Sequence, residues 1–133
     1  MNVTIQRMVV NGMIIFFLSI LLLVAGTWWR LNTQFAVGEG ALRRGDYAGA
    51  VAGYESALHM YLPLSPLIGK AAERLWQIGE ANERVGDIDR ALCAYRALRS
   101  SFYADHWLVT PGKPWLEKCD TKIAALVPLQ HER

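Results

Sequence analysis

Residues 40–58 read GALRRGDYAGAVAGYESAL, and residues 81–99 read ANERVGDIDRALCAYRALR. Laid one over the other, the segments match Gly45-Asp46 to Gly86-Asp87, Ala50 to Ala91, and Tyr54 to Tyr95, at an offset of 41 residues. Each reads as helix, Gly-Asp turn, helix. Glycine ends the first helix by accepting a left-handed backbone, aspartate caps the second, and the small alanine lets the two approach.

Apolar residues recur at helical spacing on either side of this punctuation. Ala50, Val51, Tyr54, Ala57, Leu58 and Tyr61 make one stripe, and Ala91, Leu92, Tyr95, Leu98 and Phe102 make another. Leu75, Ile78 and Gly79 offer a facing surface, with Gly79 allowing close approach. Further breakers stand at Pro63, Pro66, Pro111-Gly112 and Pro114, dividing residues 31–133 into five blocks of helical length. Few stretches alternate at period two, so an all-α fold without a sheet is expected. Trp115, Leu116, Cys119, Ile123 and Leu126 fall largely on one face and predict a closing helix over about 115–127, started by the Pro111–Pro114 turn.

The paired pattern resembles the tetratricopeptide repeat family. Leu75-Trp76-Gln77-Ile78-Gly79 is near that family's opening signature and is followed by Gly86-Asp87, Ala91 and Tyr95. The first unit has Gly38, Gly45-Asp46-Tyr47, Ala50, Tyr54, Glu55, Ala57 and Leu58, ending near Pro63. The resemblance covers about 34–63 and 72–104. The offset exceeds the family's spacing, which places an insertion around His59–Lys70, and Ala97-Leu98 is shifted by one relative to Ala57-Leu58. The resemblance implies a groove lined by the first helix of each pair, here Phe35, Glu39 and Arg43 with Trp76, Glu80, Glu83 and Arg84, receiving a peptide or partner helix. The alternative for Trp76 is a place in the core. The family's basic and Asn clamp for a carboxyl-terminal peptide is not evident.

Upstream, Met8 to Trp29 runs 22 residues without a charge. At about 1.5 Å per residue that spans roughly 33 Å, enough for a hydrocarbon core of about 30 Å. A single transmembrane helix is expected over residues 8–29, within a membrane segment of residues 1–30 and ahead of a domain of residues 31–133. Trp28, Trp29 and Arg30 suit a membrane-interface anchor, and Asn11 lies close enough to the other end to reach the interface. A cleaved secretory signal, with Arg7 as its charged start and Val24-Ala25-Gly26 as the cut, is the rival. Basic-residue counting favours a cytoplasmic domain. The short charged tail, and the placement of Arg43 and Arg44 inside the domain, favour the amino terminus inside and the domain on the outer, periplasmic side of a bacterial plasma membrane.

The chain's 133 residues carry a net charge of +2, and the only charges in the first thirty are Arg7 and Arg30. The remainder holds twelve basic and twelve acidic residues. Such balance excludes a basic nucleic-acid binder, which needs clustered cations on one face.

Catalytic chemistry finds no footing in the sequence. Cys93 and Cys119 form no metal or redox motif; Cys93 is expected as a small buried thiol, and a Cys93–Cys119 disulfide is left open. His59, His106 and His131 are scattered. Ser100-Ser101 near His106 lacks an elbow and an oxyanion hole, and reads as a capped helix end. Glu73, Glu80 and Glu83 read as a solvated face. No enzyme activity, cofactor or metal is expected. The aromatic connection over residues 100–114, with Phe102, Tyr103 and Trp107, leaves open core packing, partner contact or contact with the membrane surface, with core packing expected of Phe102.

Two repeats are few for a self-sufficient stack. A domain of about 100 residues buries some 60–70% of its unfolded surface, leaving room for an exposed apolar strip. A protein partner in a membrane assembly, or a homo-oligomer, is therefore expected. The resulting reading is a membrane-anchored adaptor; the alternative is an accessory subunit docked mainly through its transmembrane helix.

Overall fold

The Gly-Asp turns organise the chain as the repeat suggests. The computed structural model describes residues 2–60, 65–104 and 112–132, the side chain of Ala104 excepted. Among them lie five helices and no strand: α1 (Val3–Arg43), α2 (Tyr47–His59), α3 (Pro66–Arg84), α4 (Ile88–Ala104) and α5 (Lys113–His131). Tyr61, Pro63, His106, Trp107 and Pro111 fall outside the described residues.

Gly45 and Gly86 have φ of 74° and 79°, the left-handed region that L side chains avoid. Around each, the bonds that close a helix carboxyl terminus form twice over: Asp46 N–H to the Ala41 carbonyl and Gly45 N–H to Leu42, then Asp87 N–H to Asn82 and Gly86 N–H to Glu83. The aspartates cap the following helices, Asp46 accepting from Gly49 N–H at 3.0 Å and Asp87 from Arg90 N–H at 3.2 Å.

α1 packs on α2, α3 on α4, and α5 closes against α4; α2 also meets α3 and α4. The described parts of both apolar stripes are buried, with Tyr54 and Tyr95 wholly so. Each ring lies over a glycine of the partner helix. A Cβ on Gly38 would stand 2.9 Å from the Tyr54 ring, and one on Gly79 would stand 2.5 Å from that of Tyr95. Gly53 meets the Gly38 backbone itself, where a Cβ would come within 2.7 Å of the Gly38 Cα. No bulkier residue fits that crossing without moving a helix.

α1 extends unbroken for 41 residues, about 60 Å, so the apolar segment and the first helix of the first hairpin form one rod. It is long and apolar enough to cross a membrane. Trp28 and Trp29 are exposed, and the first wholly buried residue is Leu31, where α1 enters the core. Ser19, Thr27, Asn32 and Thr33 turn their donors onto carbonyls four residues earlier at 2.8–2.9 Å, which satisfies them without water.

Three expectations are corrected. Cys93 is exposed rather than buried, and both cysteines are free thiols. Cys93 stands about 200° round the helix from Ala91, on the side away from the buried stripe, while Ala94 and Ala97 are buried. α5 is longer than residues 115–127: Pro114 occupies its first turn, where a missing N–H costs nothing, and Pro128 lies inside its last. Ser100 and Ser101 do not cap an end; they lie within α4 and donate to the Ala97 carbonyl.

Gly53→Ala is expected to lower stability by about 1–3 kcal/mol through overpacking against backbone. Gly69→Ala, whose Cβ meets nothing within 4 Å, is expected to raise it by up to about 1 kcal/mol through helix propensity. Thermal melts of the two variants in detergent, followed by circular dichroism, should move in opposite directions.

Candidate functional site: two recesses along α3

Phe35 and Trp76 are separated by the repeat offset and play matching parts. Phe35 meets the Tyr54 ring edge-on at 5.6 Å, and Trp76 tilts against Tyr95 at 5.0 Å. The hydroxyl of each tyrosine donates to a glutamate on the helix it packs against, Tyr54 to Glu39 at 2.9 Å and Tyr95 to Glu83 at 3.0 Å. Each glutamate then accepts from a cation two helices onward. Arg74 Nε of α3 reaches Glu39 at 2.8 Å, and Lys122 Nζ of α5 reaches Glu83 at 2.9 Å. Burial, reinforced by the adjacent carboxylates, raises both phenol pKa values well above the ordinary one, so the tyrosines stay protonated donors.

Two recesses flank these links. The larger, of about 580 Å³, lies between α1 and α3 and is lined by Phe35, Glu39, Arg43, Lys70, Glu73, Arg74 and Gln77. The smaller, of about 280 Å³, lies between α3 and α5 and is lined by Glu80, Glu83, Arg84 and Lys122. The seven expected groove residues are thus divided. Phe35, Glu39 and Arg43 line the first recess, Glu80, Glu83 and Arg84 the second, and Trp76 lines neither. The Trp76 ring lies between Tyr95 and Trp115, the latter at 6.2 Å, with the ammonium groups of Lys118 and Lys122 5.7 and 6.0 Å from its centroid.

The carboxylates also separate. Glu73 is exposed, Glu80 lies 3.9 Å from Arg84, and Glu83 is half-buried and bonded twice, so the expected solvated face is not uniform. In the first recess Glu39 is committed to Tyr54 and Arg74, while Arg43 and Lys70 form no ion pair among the described residues. Lys70 and Arg74 were missed because they precede the repeat signature, which begins at Leu75; Gln77 was quoted only as part of that signature, and Glu73 was read as a solvated face. The polar face of α3 continued one turn upstream from Gln77 would have joined Lys70, Glu73 and Arg74 to it.

Elsewhere, burial and the nearby Asp120 push the Cys119 thiol up to about 12, leaving it an inert core residue. Among the described residues, no three His, Cys, Asp or Glu side chains gather as a metal would require. His59 ends α2 beside Glu55 at 3.7 Å, and His131 is in the last turn of α5. The chain matches no family model, no curated protein and no solved structure.

The Lys122 ammonium, with help from Tyr95 and against the opposing effect of burial, holds the Glu83 carboxyl below its ordinary value. A carboxyl depressed in the folded state contributes stability above its unfolded pKa of about 4.3 and loses it as pH falls through the lower folded value. Lys122→Met should therefore flatten the acid limb of stability against pH. Urea midpoints measured from pH 7 down to the acid transition check this.

Proposed function

We propose that the chain is a non-enzymatic, single-pass membrane-anchored adaptor, whose helical module docks a protein partner within a membrane assembly. The observation that carries this reading is the 580 Å³ recess between α1 and α3, framed by a rod whose other half is long and apolar enough to cross a membrane. Matched glycine, alanine and tyrosine positions in the two hairpins support a tetratricopeptide-like array, in which the first helix of each pair lines the binding surface. In this reading α5 acts as the closing helix. Residues 8–29 cross the bilayer, Trp28, Trp29 and Arg30 anchor at the interface, and the domain stands on the outer side.

Phe35 supplies apolar contact area at one end of the recess, and Arg43 and Lys70 supply charge that selects and steers. In the smaller recess, Glu83 is bonded to Lys122 and Glu80 lies near Arg84, leaving less uncommitted charge.

A photo-crosslinking residue at Gln77, inside the recess, should yield a discrete adduct in native membranes, whereas one at exposed Arg96 on α4 should not. Reversing both Arg43 and Lys70 to Glu should reduce the adduct about tenfold, or on the order of 1.4 kcal/mol. Equal labelling from Gln77 and Arg96 would count against the recess.

The alternative, docking through the membrane helix, is favoured by one observation: the described side chains before Thr27 are all exposed, with Gly12, Ser19 and Gly26 spaced seven apart. Replacing residues 8–29 with an unrelated transmembrane segment separates the two, since adduct formation at Gln77 survives only if the soluble domain docks.

A further inference from the structure

On the reading that the recess between α1 and α3 is the docking site, its uncommitted charge defines what it takes. α1 and α3 run in the same direction, because both are antiparallel to α2. Gly53 lies on Gly38 with the Gly45 turn between them, and Tyr47, at the start of α2, shares a small apolar recess with Ile78, late in α3. The Glu39–Arg74 bond sets the register of α1 and α3. Arg43 stands one turn beyond Glu39 and Lys70 one turn before Arg74, so the two cations mark opposite ends of the seam, about 12 Å apart along it.

The charges that line the recess are not balanced. Arg74 neutralises Glu39, and the pair shows more guanidinium than carboxylate to solvent, with 43% of the Arg74 side chain exposed against 20% of Glu39. Gln77 also accepts from Arg74, at 3.2 Å, so the guanidinium is held from two sides with N–H donors to spare. The charges of Arg74 and Arg43 both oppose the rise in the Tyr54 pKa, so both stand near the phenol that Glu39 holds. Arg43 and Lys70 are exposed and form no ion pair among the described residues. Glu73 is the recess carboxylate without an ion pair among them, and it stands about 100° round α3 from Arg74, at the rim farther from α1. Beyond the recess, Asp46 caps α2 and Glu80 lies by Arg84. The seam thus presents two free cations and a fixed guanidinium against one neutralised carboxylate.

Width decides between a helix and an extended chain as occupant. Spread over about 12 Å, the 580 Å³ gives a cross-section of about 48 Å², whereas a helix about 10 Å across fills about 80 Å². An extended segment is the better fit. At about 3.3 Å per residue, its side chains at i and i+4 share a face and lie about 13 Å apart, close to the spacing of Lys70 and Arg43. We propose that the recess binds an extended acidic segment of the partner protein, with carboxylates at i and i+4 pairing with Lys70 and Arg43 and an apolar side chain against Phe35. A basic segment would be repelled by the same cations.

The full-length chain in native membranes, with a photo-crosslinking residue at Gln77, tests this once the linked segment is sequenced by mass spectrometry. That segment should carry two Asp or Glu residues about four apart, and fewer Lys and Arg than acids. Arg43→Gln combined with Lys70→Gln should lower the adduct yield about fivefold, while Arg96→Gln, exposed on α4, leaves it unchanged. Raising NaCl from about 0.1 to about 1 M, which shortens the screening length from about 10 Å to about 3 Å, should lower the yield likewise without any substitution. A linked segment that is apolar, basic or part of a second copy of this chain overturns the acidic assignment. So does a yield that neither the double variant nor salt changes. In those cases the docking role of the recess stands. No adduct at Gln77 removes the docking role, and the assignment falls with it.

Discussion

Tyrosine rings seated on glycines are the constraint from which the rest of the domain follows. Tyr54 covers Gly38 and Tyr95 covers Gly79, closer than any side chain at those glycines would permit. Because the helices approach so far, each hydroxyl reaches the edge of the partner helix and finds a carboxylate there. Each carboxylate is then positioned to take a cation from the next odd-numbered helix. One packing decision inside a hairpin thus becomes the link between that hairpin and its successor. Both pairs are only partly buried, so water screens them, and their role lies more in setting register than in adding stability. Removing either tyrosine would leave a cavity and an unfilled bond at once.

The fusion of the apolar segment with the first hairpin follows from what the sequence lacks. Between Val3 and Arg43 there is no proline and no Gly-Asp pair, and Ser19, Thr27, Asn32 and Thr33 fold back onto their own helix. Nothing in that stretch ends a helix, so the rod continues until Gly45. A separate anchor would require a linker, and a linker would let the domain rotate. With Leu31 already in the core two residues after Trp29, no such freedom remains.

The fold was legible because its signals are local. Gly-Asp punctuation, alanine and tyrosine at a constant offset, and a charge-free run each act within a few residues, and among the described residues they correspond to two helix-ending turns, two buried stripes and one long apolar helix. Cys93, expected as a buried thiol, is exposed for a geometric reason: two residues past Ala91, it turns about 200° away from the face that Ala91 buries. The candidate site was legible in outline only. Which residues of α1 and α3 face outward could be read from the repeat, but the pairing of Glu83 with Lys122 spans 39 residues, and that of Glu39 with Arg74 spans 35. No periodicity carries that information, because such contacts depend on how one hairpin stacks on the next. Trp76 shows the same limit: the resemblance put it in the groove with the core as the alternative, and in the structure it is half-buried against Tyr95 and against Trp115 of α5, which arrives from the far end of the sequence.

The height of the larger recess constrains what can occupy it. On the proposed reading that α1 crosses the bilayer, Phe35 stands about 9 Å beyond Trp29 and Arg43 about 21 Å beyond it, so the recess opens just outside the headgroup layer. Its walls are mixed in charge, with part of that charge consumed internally. Such a surface gives modest affinity for a partner free in solution. A partner anchored in the same membrane meets it at an effective concentration set by confinement, on the order of millimolar for short tethers. Weak docking then suffices, provided the incoming segment emerges from the bilayer within about 20 Å of its own anchor, the reach of α1 itself. On the proposed adaptor reading, a rigid rod and a modest recess serve together: the rod would fix the height, and the fixed height would make tight binding unnecessary.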